Sequence, residues 1–310
     1  MTTALSAAMS RFNNLPYLLI GFSTLMWGGN AVASRLAVGQ ISPMTITCFR
    51  WFIVCAVFSV TIRQRLAAEW PLVAPHLPRL AILGALGFTA FNALFYVGAQ
   101  YTTAVNISVI QGTYPAFVLL GMALIFRAPV TVLQAAGILV TFCGIAIIAS
   151  RGELATLSTL AFNRGDLLLV AATVLFAGYT VGLRDRPKAS AIVIFAVLAA
   201  SAFLTSIPLF VGELAMGLTF APTMKGILVL AFIAIGPSLL AQITFIRGIE
   251  LIGPSRTGIF YNLVPIFGAL LAILILGEPF HPYHAAAFLL VLGGIWLSEH
   301  RSLASAASRD

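Results

Sequence analysis

The sequence predicts an all-α membrane protein whose ten transmembrane helices form two inverted five-helix repeats. Three observations carry that prediction: an extreme apolar composition, a ladder of membrane-length apolar runs, and an internal repeat. Of 310 residues, 60% are hydrophobic and only 8% are charged, against roughly 45–50% and about 25% in soluble domains. A soluble core cannot absorb that much apolar surface. The formal charge of +8 is scattered at the ends of apolar runs and forms no stripe. That excludes a nucleic-acid partner and points to cationic loops on the cytoplasmic side of a lipid bilayer.

A helix rises 1.5 Å per residue, so about 20 apolar residues cross the hydrocarbon core. On that ruler the spans fall at 17–37, 43–62, 79–97, 103–126, 130–149, 166–183, 189–211, 225–247, 255–276 and 282–298. Prolines stand near several helix starts (Pro16, Pro43, Pro254, Pro282), where a missing N–H costs least. The first run exceeds a signal-peptide h-region and contains Trp27-Gly28-Gly29-Asn30, so it is read as a retained helix. The more polar segment Ser150–Gly165 divides the chain into halves 1–150 and 151–310. With both termini cytoplasmic, twelve Lys and Arg fall on the inside, among them Arg63, Arg65, Arg127, Arg184 and Arg186. Only Arg35, Arg151, Arg164 and Lys225 fall outside, which sets the orientation.

Sliding the chain by 150 residues pairs Phe95 with Phe245, Pro115 with Pro265, Phe117 with Phe267 and Pro129 with Pro279. No gap is needed from Ala81 to Ile147. A shift of 149 pairs Gly29 with Gly178 and Val32 with Val181. Each half thus holds five spans, and an odd number makes the second half enter the membrane upside down. The repeat also duplicates a helix break. Gln111-Gly112-Thr113-Tyr114-Pro115 lies deep in one apolar run and Tyr261-Asn262-Leu263-Val264-Pro265 in its mate. Each proline withdraws an N–H and frees the carbonyl four residues back, that of Gln111 or Tyr261. In lipid a freed carbonyl needs protein, water or a ligand. Pro115 and Pro265 are therefore read as hinges beside a central site.

Polar groups that face a cavity are the natural binding residues, since lipid-facing ones are costly. Phe88, Asn92 and Tyr96 share one helical face, as do Ser238, Gln242 and Ile246 at the equivalent positions. Asn92 and Gln242 are repeat mates, each one turn after a helix-loosening Gly87 or Pro237. Interhelical glue is the rival role for such amides. The broken spans add Ser108, Gln111 and Tyr114 against Gly258, Tyr261 and Asn262, and the opening spans add Trp27 and Asn30 against Phe176 and Tyr179. Trp27, Phe88, Tyr96, Tyr114, Tyr179 and Tyr261 make a wall suited to stacking on a planar ring.

Arg50 is the one charge placed inside a span. It is suited either to a substrate carboxylate through its fork or to a structural role at helix carbonyls. Asp166, Glu213, Glu250 and Glu278 stand at span ends. With no carboxylate well inside a span, passage down the substrate's own gradient is favoured.

Enzyme motifs are missing: there is no HExxH, GxSxG or P-loop. Cys48, Cys55 and Cys143 sit in apolar runs without a disulfide or metal pattern. His281 and His284 are read as a solvated pair at a helix start. No cofactor and no metal is implied.

Leu276-Gly277-Glu278-Pro279 with Ala285-Ala286 and Gly293-Gly294-Ile295 has a first-half counterpart. It is Phe126-Arg127-Ala128-Pro129 with Gly137 and Gly144-Ile145. With Leu25-Met26-Trp27-Gly28-Gly29-Asn30 and Arg50-Trp51, these residues resemble the ten-helix, two-EamA-repeat branch of the drug/metabolite transporter superfamily over nearly the whole chain. Within it the chain looks most like the aromatic amino-acid exporters of the YddG type. Arg127 stands where the second half has Glu278, so the two repeat ends are not taken as equivalent. The resemblance implies a secondary transporter of the bacterial inner membrane that exports small metabolites, aromatic amino acids foremost, by alternating access. The rivals are an exporter of cationic drugs or of another metabolite, and a membrane enzyme on lipid-linked substrates. The last would need a clustered His/Asp/Glu set, which the sequence lacks.

Overall fold

The structure is a computed structural model that describes residues 15–153, 163–253, 257 and 260–307. Among these, every regular element is a helix. In the first half they are α1 (Pro16–Ala37), α2 (Pro43–Thr61), α3 (Arg63–Val73), α4 (Leu77–Gly84), α5 (Phe91–Gly98), α6 (Ala104–Gly112), α7 (Tyr114–Phe126) and α8 (Val132–Ala149). In the second they are α9 (Arg164–Gly182), α10 (Ala191–Ala215), α11 (Met224–Ile233), α12 (Ala241–Ile252), α13 (Leu263–Leu276) and α14 (Pro282–Ala307). Six helical stretches are long and apolar enough to cross a membrane: Pro43–Thr61, Arg63–Gly98, Ala104–Phe126, Arg164–Asp185, Ala191–Ala215 and Met224–Ile252. Val132–Ile148, Leu263–Leu276 and Pro282–Ser298 are shorter apolar helices. The 22 residues of α1 are long enough, but Ser23, Thr24, Asn30 and Ser34 are buried along it.

Two expectations change in detail. The segment counted as a connection between the second and third spans is itself helical, α3, with Arg65 and Glu69 paired one turn apart at 3.1 Å. The last helix runs past residue 298 to Ala307. Arg11, Pro254, Arg256, Gly258, Arg309, the start of the expected ninth span at 255–256 and 258–259, and the centre of the connection between halves lie outside the described residues.

Cross-links between helix ends fix the helix directions. At one face, Arg35 at the end of α1 donates to the carbonyl of Ala99 after α5 (2.5 Å). At the same face, Glu213 near the end of α10 accepts from the Met44 N–H at the start of α2 (3.2 Å). Glu278 after α13 accepts from the first N–H groups of α6, those of Ala104 and Val105 (2.9 and 3.0 Å). Asp166 at the start of α9 joins Thr102 there. At the other face, Arg79 at the start of α4 donates to the carbonyl of Gly182 at the end of α9 (2.7 Å). Glu69 accepts from the Ser190 N–H just before α10 (2.6 Å). So α1 finishes where its counterpart α9 begins, and α2 begins where α10 finishes. We call these the carboxylate face and the arginine face.

Packing follows the same symmetry. The counterparts α2 and α10 pack on one another, as do α8 and α14, while α1 packs on α12 and α13 and α9 on α5, α6 and α7. Gly28 explains one close crossing: a Cβ there would stand 2.7 Å from the backbone N of Gly268 and 3.0 Å from the carbonyl of Val264. Only a glycine lets α1 lie that near α13.

The duplicated helix distortions are present. Ala85–Ala90 and Ala234–Leu240 are π-helical turns, joining α4 to α5 and α11 to α12. They hold Gly87 and Pro237, and Pro237 explains its own turn because its ring blocks the regular bond. Ser238 completes the turn by donating to the carbonyl of Ile233, five residues back (2.6 Å). At Gly87 a Cβ would run into the ring of Tyr179. The break between α6 and α7 falls at Thr113, and α7 resumes at Tyr114 with Pro115 in its first turn. The second break falls at Asn262, before α13.

Candidate functional site

The helices enclose a cavity of about 890 Å3, within the range of roughly 300–1,000 Å3 of small-molecule pockets. Its lining starts at mid-helix with Asn30, Arg50, Asn92 and Ser238. From there it runs to Met122 near the end of α7, Leu183 and Arg186 after α9, Ala191 at the start of α10 and Glu250 near the end of α12. All of those ends lie at the arginine face. No lining residue comes from the helix ends at the carboxylate face, where Ala31, Ala99, Ala104, Val105 and Ala272 pack in one fully buried cluster. Among the described residues the cavity reaches the arginine face and is shut at the other.

Arg50 is the charge at its floor, 5% exposed. Its Nε donates to Ser238 Oγ (2.9 Å), and its Nη1 donates to Asn92 Oδ1 (2.7 Å) and Tyr96 Oη (2.5 Å). Its guanidinium carbon lies 5.0 Å from the centre of the Trp51 ring. Every one of these partners is neutral, and no described carboxylate pairs with it. Leaving a cation in a low-dielectric interior costs several kcal/mol, so an anion at its cavity edge would be favoured. Ser238 ties the second half to Arg50 of the first, which is why the π turn matters to the site.

Aromatic rings build the wall. Trp51 stacks on Phe88 at 4.6 Å and an 11° tilt, and Phe88 lies 5.1 Å from Tyr179. Tyr114 and Tyr261, repeat neighbours from the two breaks, lie 4.8 Å apart. Trp27 contacts Phe245 and Tyr261, and its Nε1 donates to the Pro237 carbonyl (3.0 Å). Tyr114 Oη donates to Thr180 (3.0 Å). Two polar atoms at this wall, Trp51 Nε1 and Gln111 Oε1, are buried without a partner among the described residues.

Of the residues expected at the site, Trp27, Asn30, Arg50, Phe88, Asn92, Gln111, Tyr114, Tyr179, Ser238, Gln242 and Tyr261 line the cavity, with Pro115. Three do not. Tyr96 stands behind Arg50, 2% exposed, and donates to Asn30 Oδ1 (3.2 Å). Asn262 occupies the N-cap of α13 and does not line the cavity. Pro265 is buried against Gly112. The two amides also differ. Asn92 is held by Arg50 and donates to the Phe88 carbonyl, whereas Gln242 lines the cavity with no side-chain hydrogen bond to a described residue. Ser108 is fully buried and bonds back to Ala104.

Sequence reasoning passed over Trp51, Phe91, Phe195 and Thr180, which also line the cavity. Trp51 had a visible signal, its place beside the intramembrane arginine. Phe195 had none, because α10 is apolar along almost its whole length. His284 is not the solvated residue expected: it is 2% exposed.

The sequence pattern of the EamA-like transporter family matches this chain twice, over residues 14–150 and 163–299. Among curated proteins, the chain is 27% identical over 291 residues to the uncharacterised transporter YyaM of Bacillus subtilis (strain 168), covering 91% of this chain and 92% of that one. It is 24% identical over 290 residues to an uncharacterised transporter of Archaeoglobus fulgidus, covering 92% and 98%. A protein crystal structure aligns with 92% of this chain and 97% of its own at a TM-score of 0.62 and 20% identity, a likeness of fold.

Proposed function

For a chain that belongs to the EamA-like transporter family, a multi-pass membrane transporter of small molecules and not an enzyme, we propose export of organic carboxylates that carry a planar ring, aromatic amino acids first. The observation that carries this reading is Arg50, a buried cation without a carboxylate partner among the described residues, at the floor of a cavity walled by Trp51, Phe88, Tyr114 and Tyr261. At about 4 Å and an effective dielectric of about 20, two unit charges interact by about 4 kcal/mol. A substrate carboxylate gains on that scale, and a cation is rejected on it by roughly a thousandfold. That argues against the cationic-drug reading. The ring stacks on the wall, and an amino group would satisfy the orphan Gln111 Oε1.

In this reading ten helices cross the bacterial inner membrane, with both termini cytoplasmic and the arginine face inside. The described form is then open to the cytoplasm, as an exporter must be when it loads. Helix breaks at Thr113 and Asn262, beside Pro115 and Pro265, and the π turns at Gly87 and Pro237 are the places where the bundle can bend. Movement there would close the arginine face and part the carboxylate face.

The test is counterflow of a labelled metabolite panel by purified protein in liposomes, with Arg50→Lys and Arg50→Gln beside the parent. Saturable exchange of aromatic amino acids, abolished by Arg50→Gln, is the expected result. Exchange of organic cations with none of carboxylates would overturn the proposal. Orientation is checked by impermeant thiol labelling in intact cells: a cysteine replacing Gln40 should react and one replacing Arg63 should not.

A further inference from the structure

The shut end of the bundle is joined by one buried polar chain that the transport site does not use. Asp166 of α9, Thr102 before α6, Asn106 of α6 and His284 of α14 are 1%, 5%, 4% and 2% exposed. Thr102 Oγ1 donates to Asp166 Oδ1 (2.5 Å), and Asn106 Nδ2 reaches Thr102 Oγ1 (3.1 Å) and both Asp166 oxygens (3.4 Å). His284 Nε2 meets Asn106 Oδ1 at 3.2 Å, and His284 Nδ1 accepts the His281 N–H at 3.0 Å. Thr102 and Asn106 belong to the first half, Asp166 and His284 to the second. The chain therefore bolts the halves together at the carboxylate face, opposite the cavity mouth.

Its bonds are satisfied in one protonation state. His284 Nδ1 is an acceptor, so Nε2 carries the ring proton and donates to Asn106 Oδ1. That turns the Asn106 amide so that its NH2 points at Asp166, which must then be an acceptor on both oxygens. A proton on Asp166 would weaken its acceptance from the Asn106 NH2 and force the Thr102 hydroxyl to turn from donor to acceptor, and a proton on His284 would set N–H against N–H.

We infer that Asp166, Thr102, Asn106 and His284 form a proton-binding latch, closed with aspartate anionic and histidine neutral and released when a proton from the carboxylate side enters it. No basic side chain forms an ion pair with Asp166 among the described residues, so its charge is held by the Thr102 and Asn106 hydrogen bonds and by the more distant Arg151. The other charged or titratable groups facing the latch are Arg151, which lies within electrostatic range of Asp166 and Tyr283, and Arg164 two residues before Asp166. Tyr283 and His281 ring the His284 imidazole, Glu278 caps α6 beside Asn106, and Arg35 holds the Ala99 carbonyl. The inference stands apart from substrate identity and supplies what the helix interiors lack, a buried titratable group that moves with the gate.

The experiment reads gate opening directly. Ser34 lies one turn beyond Asn30 toward the shut end and is 2% exposed. Ser34→Cys, in a background with Cys48→Ala, Cys55→Ala and Cys143→Ala, is labelled by an impermeant maleimide reaching the carboxylate face. Each rate is divided by that of Leu218→Cys, an exposed position near that face, which removes the reagent's own pH dependence. Between about pH 7.5 and about pH 4 the ratio should rise about tenfold, the factor one lost hydrogen bond of ~1.4 kcal/mol gives. Asp166→Asn should label fast at neutral pH with a flattened response, and adding His284→Gln should remove the response. A parent ratio that does not change with pH overturns the inference, as does an Asp166→Asn response equal to the parent's. Should Asp166→Asn fail to fold, the parent profile and His284→Gln alone decide by the same readout.

Discussion

Replacing Asn92 with aspartate tests Arg50 as an anion site at its most sensitive point. Asn92 Oδ1 accepts from Arg50 Nη1 at 2.7 Å, and Asn92→Asp keeps the shape while turning a neutral acceptor into a carboxylate. A hydrogen bond between a charged and a neutral group is worth about 1.5–3 kcal/mol. The new charge pair adds attraction on the order of 4 kcal/mol at about 4 Å and an effective dielectric of about 20. Part of that is lost to desolvating the second charge. The internal carboxylate then occupies the field a substrate carboxylate would use, so affinity should fall at least about tenfold and as much as roughly a thousandfold. Stability should hold or rise. Asn92→Leu is the control, because it strands Arg50 Nη1 with Tyr96 alone and should lower the melting temperature on the order of 5 °C. Melting and equilibrium binding are measured on the same purified samples. Wild-type affinity in Asn92→Asp, with protein of normal stability, would refute the reasoning and leave Arg50 as a structural bolt between Ser238, Asn92 and Tyr96.

Gln242→Leu breaks no side-chain bond to a described residue, so its melting temperature should match the parent while affinity drops about two- to tenfold, the worth of one neutral hydrogen bond; titration of substrate into the variant checks it. Gly28→Ala should destabilise by about 1–3 kcal/mol, because its Cβ meets the backbone of α13 and not a movable side chain; chemical or thermal unfolding reads the loss. Glu278→Ala uncaps Ala104 and Val105 at the start of α6 and should cost about 1–3 kcal/mol, whereas Glu278→Gln, which keeps an acceptor, should recover part of it in the same melts.

The membrane class, the duplication and the places where helices distort were all readable from residue order. Composition and run length report what solvent a segment requires, and that holds whatever the neighbours are. Gly87 and Pro237 marked where the two helices loosen, Pro237 because a proline's missing donor is a local fact, although the π form of the turns was not foreseen. The inward-facing polar positions were largely legible too, since helical periodicity assigns each side chain a direction on its own helix.

Periodicity stops at that direction. It gives no depth and no partner, so Tyr96 shares the face of Phe88 and Asn92 yet ends up behind Arg50, and Asn262 at the second break does not line the cavity. The equivalence of Asn92 and Gln242 in sequence dissolves in space because only the first meets an arginine. Phe195 enters the wall from a helix apolar along almost its whole length, where no residue stands out. Asp166 and His284 read as end-of-helix residues, ordinarily solvated. Only the inverted packing of the halves brings those ends together with Asn106, more than fifty residues from either in sequence, and excludes water from all three. Which face of the cavity is shut is decided the same way, by long-range contacts between helix ends whose energies depend on distance in space and leave no period in the chain.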